Sequence, residues 1–337
     1  MKRPALRSQS TGRVKIKRRA GSPPPPASDV SGGLYFANQN KTNISFVHTG
    51  CTLLDCVVGG GWALGRVVNI VGDKSTGKTL LAMEAAANFF LQYPNGRVRY
   101  NEAEAAFDES YAEALGIPIQ KVDIVTECAT VEDWFNDLSA FLKDTKKGTH
   151  ALYILDSLDA LSDAAELERG ISEGSYGASK PKQLSQMFRR LIRKIEESNV
   201  CLIIISQVRD AIGVSFGDKL KRSGGKALDF YASQVVWLAH LKLLKKTINK
   251  VERPYGVRIR AKCKKNKVGL PWRECEFELH FGYGIRDKEA SLEWLAEVGI
   301  RPDKNTSASA ETIRRVVQTK WAEIETSFLP KERKYGN

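Results

Sequence analysis

One glycine-rich turn constrains the fold of this 337-residue chain more than any other feature of the sequence. An apolar run at 66–72 predicts a short buried strand, and 80–91 predicts a helix. The residues around and between them match G-x-x-x-x-G-K-[ST], as Gly72, Asp73, Lys74, Ser75, Thr76, Gly77, Lys78 and Thr79. Backbone N–H groups of such a turn cradle phosphates, while Lys78 reaches the terminal phosphates and Thr79 offers a hydroxyl to Mg²⁺. The pattern predicts that ATP and Mg²⁺ bind here.

The strands and helices around this turn alternate, which indicates the fold class. Further strands are predicted at 98–100, Val122–Val125, Ala151–Asp156 and 201–206, and helices at 131–143 and 184–195. Because the strands are continuously apolar rather than half polar, they predict a buried, mostly parallel sheet flanked by helices. The chain is therefore predicted to be an α/β protein. Cys201 and Cys263 lie in apolar runs and are expected in the core.

The pattern changes after residue 232 to strict alternation of apolar and charged residues. Two such runs, 257–263 and 275–281, flank a turn at 266–271 and predict an antiparallel hairpin. One run carries a basic row and the other an acidic row. These rows are expected to pair across the two strands rather than to bind DNA.

Three acidic residues are candidates for the chemistry beside the phosphate turn. Asp156 ends an apolar strand, so its carboxylate is expected at the carboxyl edge of the sheet, where it would help to hold Mg²⁺. Glu102 and Glu104 follow another strand on the same rim and are candidates for the base that activates water. Their spacing alone does not choose between them.

The charge of the chain is large and unevenly placed. The formal net charge is +13, and residues 1–20 hold eight Lys or Arg and no acid. Such a balance suggests a nucleic-acid partner. Residues 1–33, with Pro23–Pro26, predict a disordered basic tail and linker, which could either be merely solvated or gather DNA. With no apolar run long enough for a membrane span, the chain is expected to be soluble and cytoplasmic, in a bacterium or the host of a phage.

These motifs resemble, in their order along the chain, the RecA recombinases of bacteria and phages. Glu102-Ala103-Glu104 with Asp108 resembles the segment of the catalytic glutamate, which the resemblance places at Glu104. It also implies that Tyr111 stacks on adenine and that Gln207, after the strand 201–206, senses the γ-phosphate. Lys265 and Lys267, at the predicted hairpin tip, resemble lysines that reach a neighbouring subunit's ATP.

Two basic, glycine-containing loops, near 169–182 and 209–226, resemble the DNA-binding loops of that family. Mobile cationic loops with apolar wedges suit a DNA backbone and its bases. The loops and the helix after the first supply the expected DNA-binding residues, which are Arg169, Tyr176, Lys182, Arg189, Arg209, Ile212, Phe216 and Lys226. The run 223–233 is close to the family's pattern.

The resemblance implies a DNA-dependent ATPase that forms a homo-oligomeric filament on single-stranded DNA, pairs it with homologous double-stranded DNA and exchanges strands. The rival interpretation is a RecA-fold ATPase without strand exchange, such as a ring motor or a loading factor. The family's N-terminal docking helix has no clear counterpart in residues 1–45. We expect an ATPase core over 34–300 and a short helical C-terminal region over 301–337, with a helix at 310–324.

Overall fold

The structure is a computed structural model of the whole chain. It describes residues 44–104, 107–146, 148–164, 179–210, 220–222, 225–300 and 309–329. The predicted basic tail, most of the two predicted DNA-binding loops and the last residues of the chain lie outside this part.

A ten-stranded sheet organises the described residues. The strands are β1 (Phe46–Val47), β2 (Trp62–Ala63), β3 (Val67–Gly72), β4 (Arg97–Glu102), β5 (Val122–Val125), β6 (Ala151–Asp156), β7 (Val200–Asp210), β8 (Leu220–Arg222), β9 (Gln234–Ile248), β10 (Val251–Asn266), β11 (Glu274–His280) and β12 (Gly284–Ile285). The large sheet has the order β12-β11-β10-β9-β3-β7-β6-β4-β5, with β8 paired to β7, and β1 and β2 form a separate pair.

Helices pack on both faces of the sheet. They are α1 (Thr52–Val58), α2 (Lys78–Gln92), α3 (Glu109–Ala114), α4 (Val131–Asp144), α5 (Ser179–Glu197), α6 (Gly225–Tyr231), α7 (Asp287–Glu297) and α8 (Ala310–Ser327), with a short 3₁₀ helix at Ile119–Lys121. The strands β9, β3, β7, β6, β4 and β5 pair in parallel, as predicted for an α/β fold.

Strand β3 shows why the sheet needs helices on both sides. Its side chains alternate between two separate cores: Val68 and Ile70 pack with helix α2, whereas Val67 and Val71 pack with helices α4 and α5. All four side chains are fully buried. Successive residues of a strand point to opposite faces, so an apolar residue at every position requires a cover on each face.

The antiparallel part of the sheet confirms the predicted charge pairing. Arg258, Arg260 and Lys262 of β10 lie opposite Glu278, Glu276 and Glu274 of β11. Arg260 donates to Glu276 over 2.7 Å, and Lys262 lies 3.0 Å from Glu274. The sequence interpretation missed β9, however. This strand pairs in parallel with β3 and antiparallel with β10, and so joins the hairpin to the parallel sheet.

The C-terminal helix α8 packs against the same core as helix α2. Its Ile313 and Val317 are buried there, and Arg273 holds Glu325 through two hydrogen bonds of 3.0 and 2.6 Å. No helix in the described ranges has the length and apolarity that a membrane crossing needs.

Candidate nucleotide site

The glycine-rich turn joins β3 to α2 at the carboxyl edge of the sheet. Gly77 precedes α2 with φ of +83°, and a Cβ there would come within 2.2 Å of Leu279 Cδ1. The left-handed backbone conformation therefore favours glycine, and a Cβ would in addition displace the buried Leu279 side chain. Ser75 also has a positive φ, of 57°. This turn directs the backbone N–H groups at the start of α2 to the open edge, where an anion is favoured.

Lys78 lies among acidic side chains. Its ammonium donates to the Asp73 carbonyl over 2.7 Å. Burial lowers the pKa of this group, while the charges of Glu104, Asp156 and Asp159 raise it. Negative charge thus converges on Lys78 from the carboxyl ends of two strands, β4 and β6. The ammonium is held where the terminal phosphates of a nucleotide in the turn would lie.

Asp156 is the last residue of β6 and is buried with 5% exposure. Burial raises the pKa of its carboxyl group, whereas hydrogen bonds from Tyr100 and Thr79 lower it. The Tyr100 hydroxyl donates to Asp156 Oδ2 over 2.7 Å. Thr79 and Asp156, the two predicted metal residues, are therefore in contact and both present oxygen atoms, the donors that Mg²⁺ prefers.

Glu104 and Gln207 meet across the sheet edge. Gln207 Nε2 donates to Glu104 Oε1 over 3.0 Å, and the Ser157 hydroxyl donates to the same oxygen. Gln207 is also held through its backbone N–H, which donates to Asp159 Oδ2 over 2.6 Å. The predicted base and the predicted sensor thus form one hydrogen-bonded pair beside Lys78.

Glu102 has a different place from Glu104. It is the last residue of β4, rather than a residue past the strand, and it is buried with 7% exposure. Its Oε1 accepts the backbone N–H of Glu104 over 3.0 Å. Glu102 therefore fixes the turn that presents Glu104, and Glu104 is the glutamate that contacts Gln207.

Tyr111 lies on helix α3 and packs, half-buried, against the core that contains α2. Burial raises the pKa of its hydroxyl, and the charge of Glu84 adds to this. Its stacking on adenine remains a prediction.

Lys265 and Lys267 lie at the end of β10 and in the turn that joins it to β11, which is the hairpin tip expected from the sequence. Lys265 is within β10, and only Lys267 lies in the turn. Their ammonium groups donate to the Phe230 carbonyl of helix α6 over 3.0 and 3.1 Å. Burial lowers the pKa of Lys265 to about 8, with a smaller contribution from the positive charges of Lys267 and Arg222.

The predicted DNA-binding residues are only partly described. Lys182 and Arg189 are exposed on helix α5. Arg209 lies in β7 opposite Lys221, and Lys226 lies in α6, with only their backbones described. Four of these residues fall outside the described ranges, namely Arg169, Tyr176, Ile212 and Phe216.

Sequence reasoning missed Ser157 and Asp159, which hold Glu104 and Gln207 in place. The polar residues of the run Asp156-Ser157-Leu158-Asp159 after β6 were the available indication, because the loop after a central strand lies at the ligand edge. Arg222 lies within the second basic loop, 209–226, but its side chain is turned inward and is only 5% exposed.

Comparison with known proteins identifies the family of this chain. The profile of the RecA N-terminal domain matches residues 32–286. Protein RecA of Nostoc sp. is 32% identical over 267 residues, which cover 79% of this chain and 72% of the relative. Protein RecA of Prochlorococcus marinus strain NATL1A is 30% identical over 313 residues, which cover 90% of this chain and 80% of the relative. The chain therefore belongs to the RecA family of DNA-dependent ATPases that act in recombination and repair, and it is an ATP hydrolase.

Proposed function

We propose that this chain forms a filament on single-stranded DNA in the cytoplasm, pairs that DNA with a homologous duplex and exchanges strands, with ATP controlling its grip on DNA. The observation that carries the proposal is the 3.0 Å hydrogen bond from Gln207 to Glu104. Gln207 lies in β7, the strand that continues to Asp210 and enters the second predicted DNA-binding loop. A group beside the γ-phosphate is thus joined by covalent backbone to a DNA-binding segment.

In the proposed reaction, residues 72–79 bind the phosphates of ATP and Lys78 neutralises charge at the terminal phosphates. Glu104 accepts a proton from the attacking water. Thr79 and Asp156 would hold Mg²⁺, which supplies further neutralisation of phosphate charge when bound. Gln207, held by its N–H to Asp159, contacts the γ-phosphate and leaves that contact after hydrolysis. Positioning and charge stabilisation account for the chemistry.

Subunit contact is proposed to complete the site. Lys265 and Lys267 bond carbonyl oxygens of helix α6 within their own chain. A phosphate oxygen carries more negative charge than a carbonyl oxygen, so a neighbour's ATP would compete for both ammonium groups. This supports a head-to-tail assembly, which gives a helical filament when the rotation does not close.

Nucleotide-dependent DNA binding and electron microscopy together test this function. We expect oligo(dT) to bind more tightly with a non-hydrolysable ATP analogue than with ADP, and helical filaments to form under the first condition. Equal affinity with no nucleotide, ADP and the analogue would refute the coupling. Closed rings on the same DNA would favour the ATPase without strand exchange.

Gln207→Asn should uncouple nucleotide from DNA. The shorter amide cannot span the 3.0 Å contact to Glu104 from the same backbone position, although the backbone N–H to Asp159 stays. We expect the ratio of oligo(dT) affinities with ATP analogue and with ADP to fall about tenfold, the equivalent of one hydrogen bond to a charged group. Fluorescence anisotropy measures the ratio. If it stays at the wild-type value, Gln207 is not the link.

Tyr100→Phe should move the acid limb of the pH profile. Asp156 must be ionised to help hold Mg²⁺, and the Tyr100 hydroxyl lowers its pKa. Without that hydroxyl the pKa rises further, so ATP turnover should be lost at a higher pH as the medium is acidified. We expect this limb of the kcat/KM profile to shift upward and to shift back with added Mg²⁺. An unmoved limb would show that another group controls it.

A further inference from the structure

The side chain of Arg222 is buried beside β7, the strand that carries Gln207. Arg222 is the last residue of β8 and lies opposite Val208, the residue after Gln207. Its side chain is 5% exposed, although a charged group is rarely buried unless it is paired. A DNA phosphate contact would require the guanidinium to face outward, so its burial calls for another role.

The guanidinium of Arg222 bridges two elements. One nitrogen donates to Asn69 Oδ1 in β3, three residues before the glycine-rich turn begins. Another nitrogen donates to Asp229 Oδ1 in helix α6. The backbone carbonyl of the same Asp229 accepts from Lys265. Arg222 thereby joins the strand that leads to the phosphates with the helix that receives Lys265.

Asn69 connects Arg222 to β7 through hydrogen bonds of its own. Its Nδ2 donates to the Ile204 carbonyl and to Ser206 Oγ, both over 2.9 Å. A guanidinium has only donors, so it can bond the oxygen of the amide and not the nitrogen. Arg222 therefore sets the orientation of the Asn69 amide, and with it the donor that reaches the residue before Gln207. Asn69 and Ser206 are fully buried, so water cannot replace these partners.

We propose that Arg222 is a positioning residue for the Gln207–Glu104 pair, acting through Asn69 and Ser206. It holds the end of β7 in register with β3, so that Gln207 and the phosphate turn keep a fixed separation. The inference rests on the proposed role of Gln207 and adds a residue that lies outside the nucleotide turn. Arg222 thus tunes turnover without touching ATP or DNA.

Arg222→Lys is the discriminating variant. Lysine keeps the positive charge and would preserve a phosphate contact, but a single ammonium cannot reproduce the fork that reaches Asn69 and Asp229 together. We expect kcat for ATP hydrolysis, measured with and without oligo(dT), to fall about tenfold through misplacement of Glu104 and Gln207. KM for ATP should stay within about threefold, because the phosphate turn itself is intact.

The salt dependence of oligo(dT) binding separates positioning from DNA contact. Loss of one phosphate contact would reduce the slope of log K against log salt by about 0.7 for a single strand. We expect the slopes of Arg222→Lys and Arg222→Met to equal that of the wild type. Unchanged kcat in Arg222→Lys, with a reduced slope in Arg222→Met, would overturn the proposal and make Arg222 a DNA contact.

Asn69→Asp tests whether Arg222 acts through Asn69. This test does not depend on whether the Arg222 variants fold. Aspartate still accepts from Arg222 but cannot donate to the Ile204 carbonyl. We expect the same loss of kcat as in Arg222→Lys, and no further loss in the double variant. Normal kcat in Asn69→Asp would contradict the proposal that Arg222 acts through Asn69. So would losses of kcat that multiply when the two substitutions are combined. Arg315→Met, in an exposed pair on α8, controls for loss of an arginine.

The proposed function fails separately from this inference. If wild-type oligo(dT) binding were indifferent to nucleotide while Arg222→Lys still lowered kcat with KM retained, DNA coupling would be wrong and the positioning role of Arg222 would stand. If nucleotide-dependent DNA binding were present and Arg222→Lys had the kcat of the wild type, the positioning role of Arg222 would be wrong and the DNA coupling would stand.

Discussion

Glu104→Gln is expected to lower kcat for ATP hydrolysis by about 100-fold or more, the range for loss of a general base. The glutamine oxygen still accepts from Gln207 and Ser157, the two donors that hold the glutamate. The site therefore keeps its geometry and loses only the proton acceptor. Because hydrolysis is proposed to release DNA, complexes with oligo(dT) and ATP should last longer than those of the wild type. Steady-state turnover and the dissociation rate of labelled DNA measure the two effects.

Glu102→Gln is the matched control for this prediction. Glu102 supports the turn by accepting the Glu104 N–H over 3.0 Å, and a glutamine oxygen can accept the same bond. We expect a loss in kcat of about tenfold at most, as for a group that acts through position. A severe loss in Glu102→Gln with normal turnover in Glu104→Gln would exchange the two roles.

Lys78→Ala is expected to weaken ATP binding by about 100-fold, the equivalent of a charge-assisted contact to phosphate, and to abolish measurable turnover. The free chain should remain folded, because the ammonium of Lys78 donates to an exposed backbone carbonyl, that of Asp73, and not to a side chain of the core. Three neighbouring carboxylates, of Glu104, Asp156 and Asp159, would then repel the terminal phosphate without a counter-charge. Isothermal titration with an ATP analogue measures the affinity.

Lys320→Ala controls for loss of a lysine at a distant place. Lys320 pairs with Glu323 on the surface of helix α8. Exposed ion pairs of this kind contribute little to the stability of a protein. The affinity of the Lys320→Ala variant for the ATP analogue should equal that of the wild type. If Lys78→Ala bound the analogue as well as Lys320→Ala does, the glycine-rich turn would not be the triphosphate site.

The strands and helices nearest the nucleotide could be predicted because their cause is local. Apolar continuity in 66–72 indicates a strand buried on two faces, and β3 is found at Val67–Gly72. Helix α4, predicted at 131–143, is found at Val131–Asp144, where a Thr130–Asp133 capping box fixes its start. Lys78 follows β3 and Asp156 ends β6, and parallel strands bring such ends to one edge. Gln207 was expected just after a strand at 201–206, but β7 continues past it to Asp210.

Other features depend on partners far along the chain and could not be predicted in this way. Strand β9 is only partly apolar, since its outer half is exposed, and its place beside β3 is set by pairing across more than 160 positions. Arg222 lies in a segment, 209–226, whose composition is that of a basic, glycine-containing loop. Its burial follows from Asn69 and Asp229, which lie 153 and 7 positions away.

The amino-acid sequence by itself determined that the chain carries a phosphate-binding turn in an α/β sheet, because that turn and its flanking strand and helix are encoded in consecutive residues. The tertiary structure decided which glutamate faces Gln207 and which loop arginine is turned into the protein. Those choices depend on hydrogen bonds between residues that the sheet order brings together, such as Glu104 with Gln207 and Asn69 with Arg222. A buried donor or acceptor must find its partner in space, and distance along the chain does not specify which one it finds.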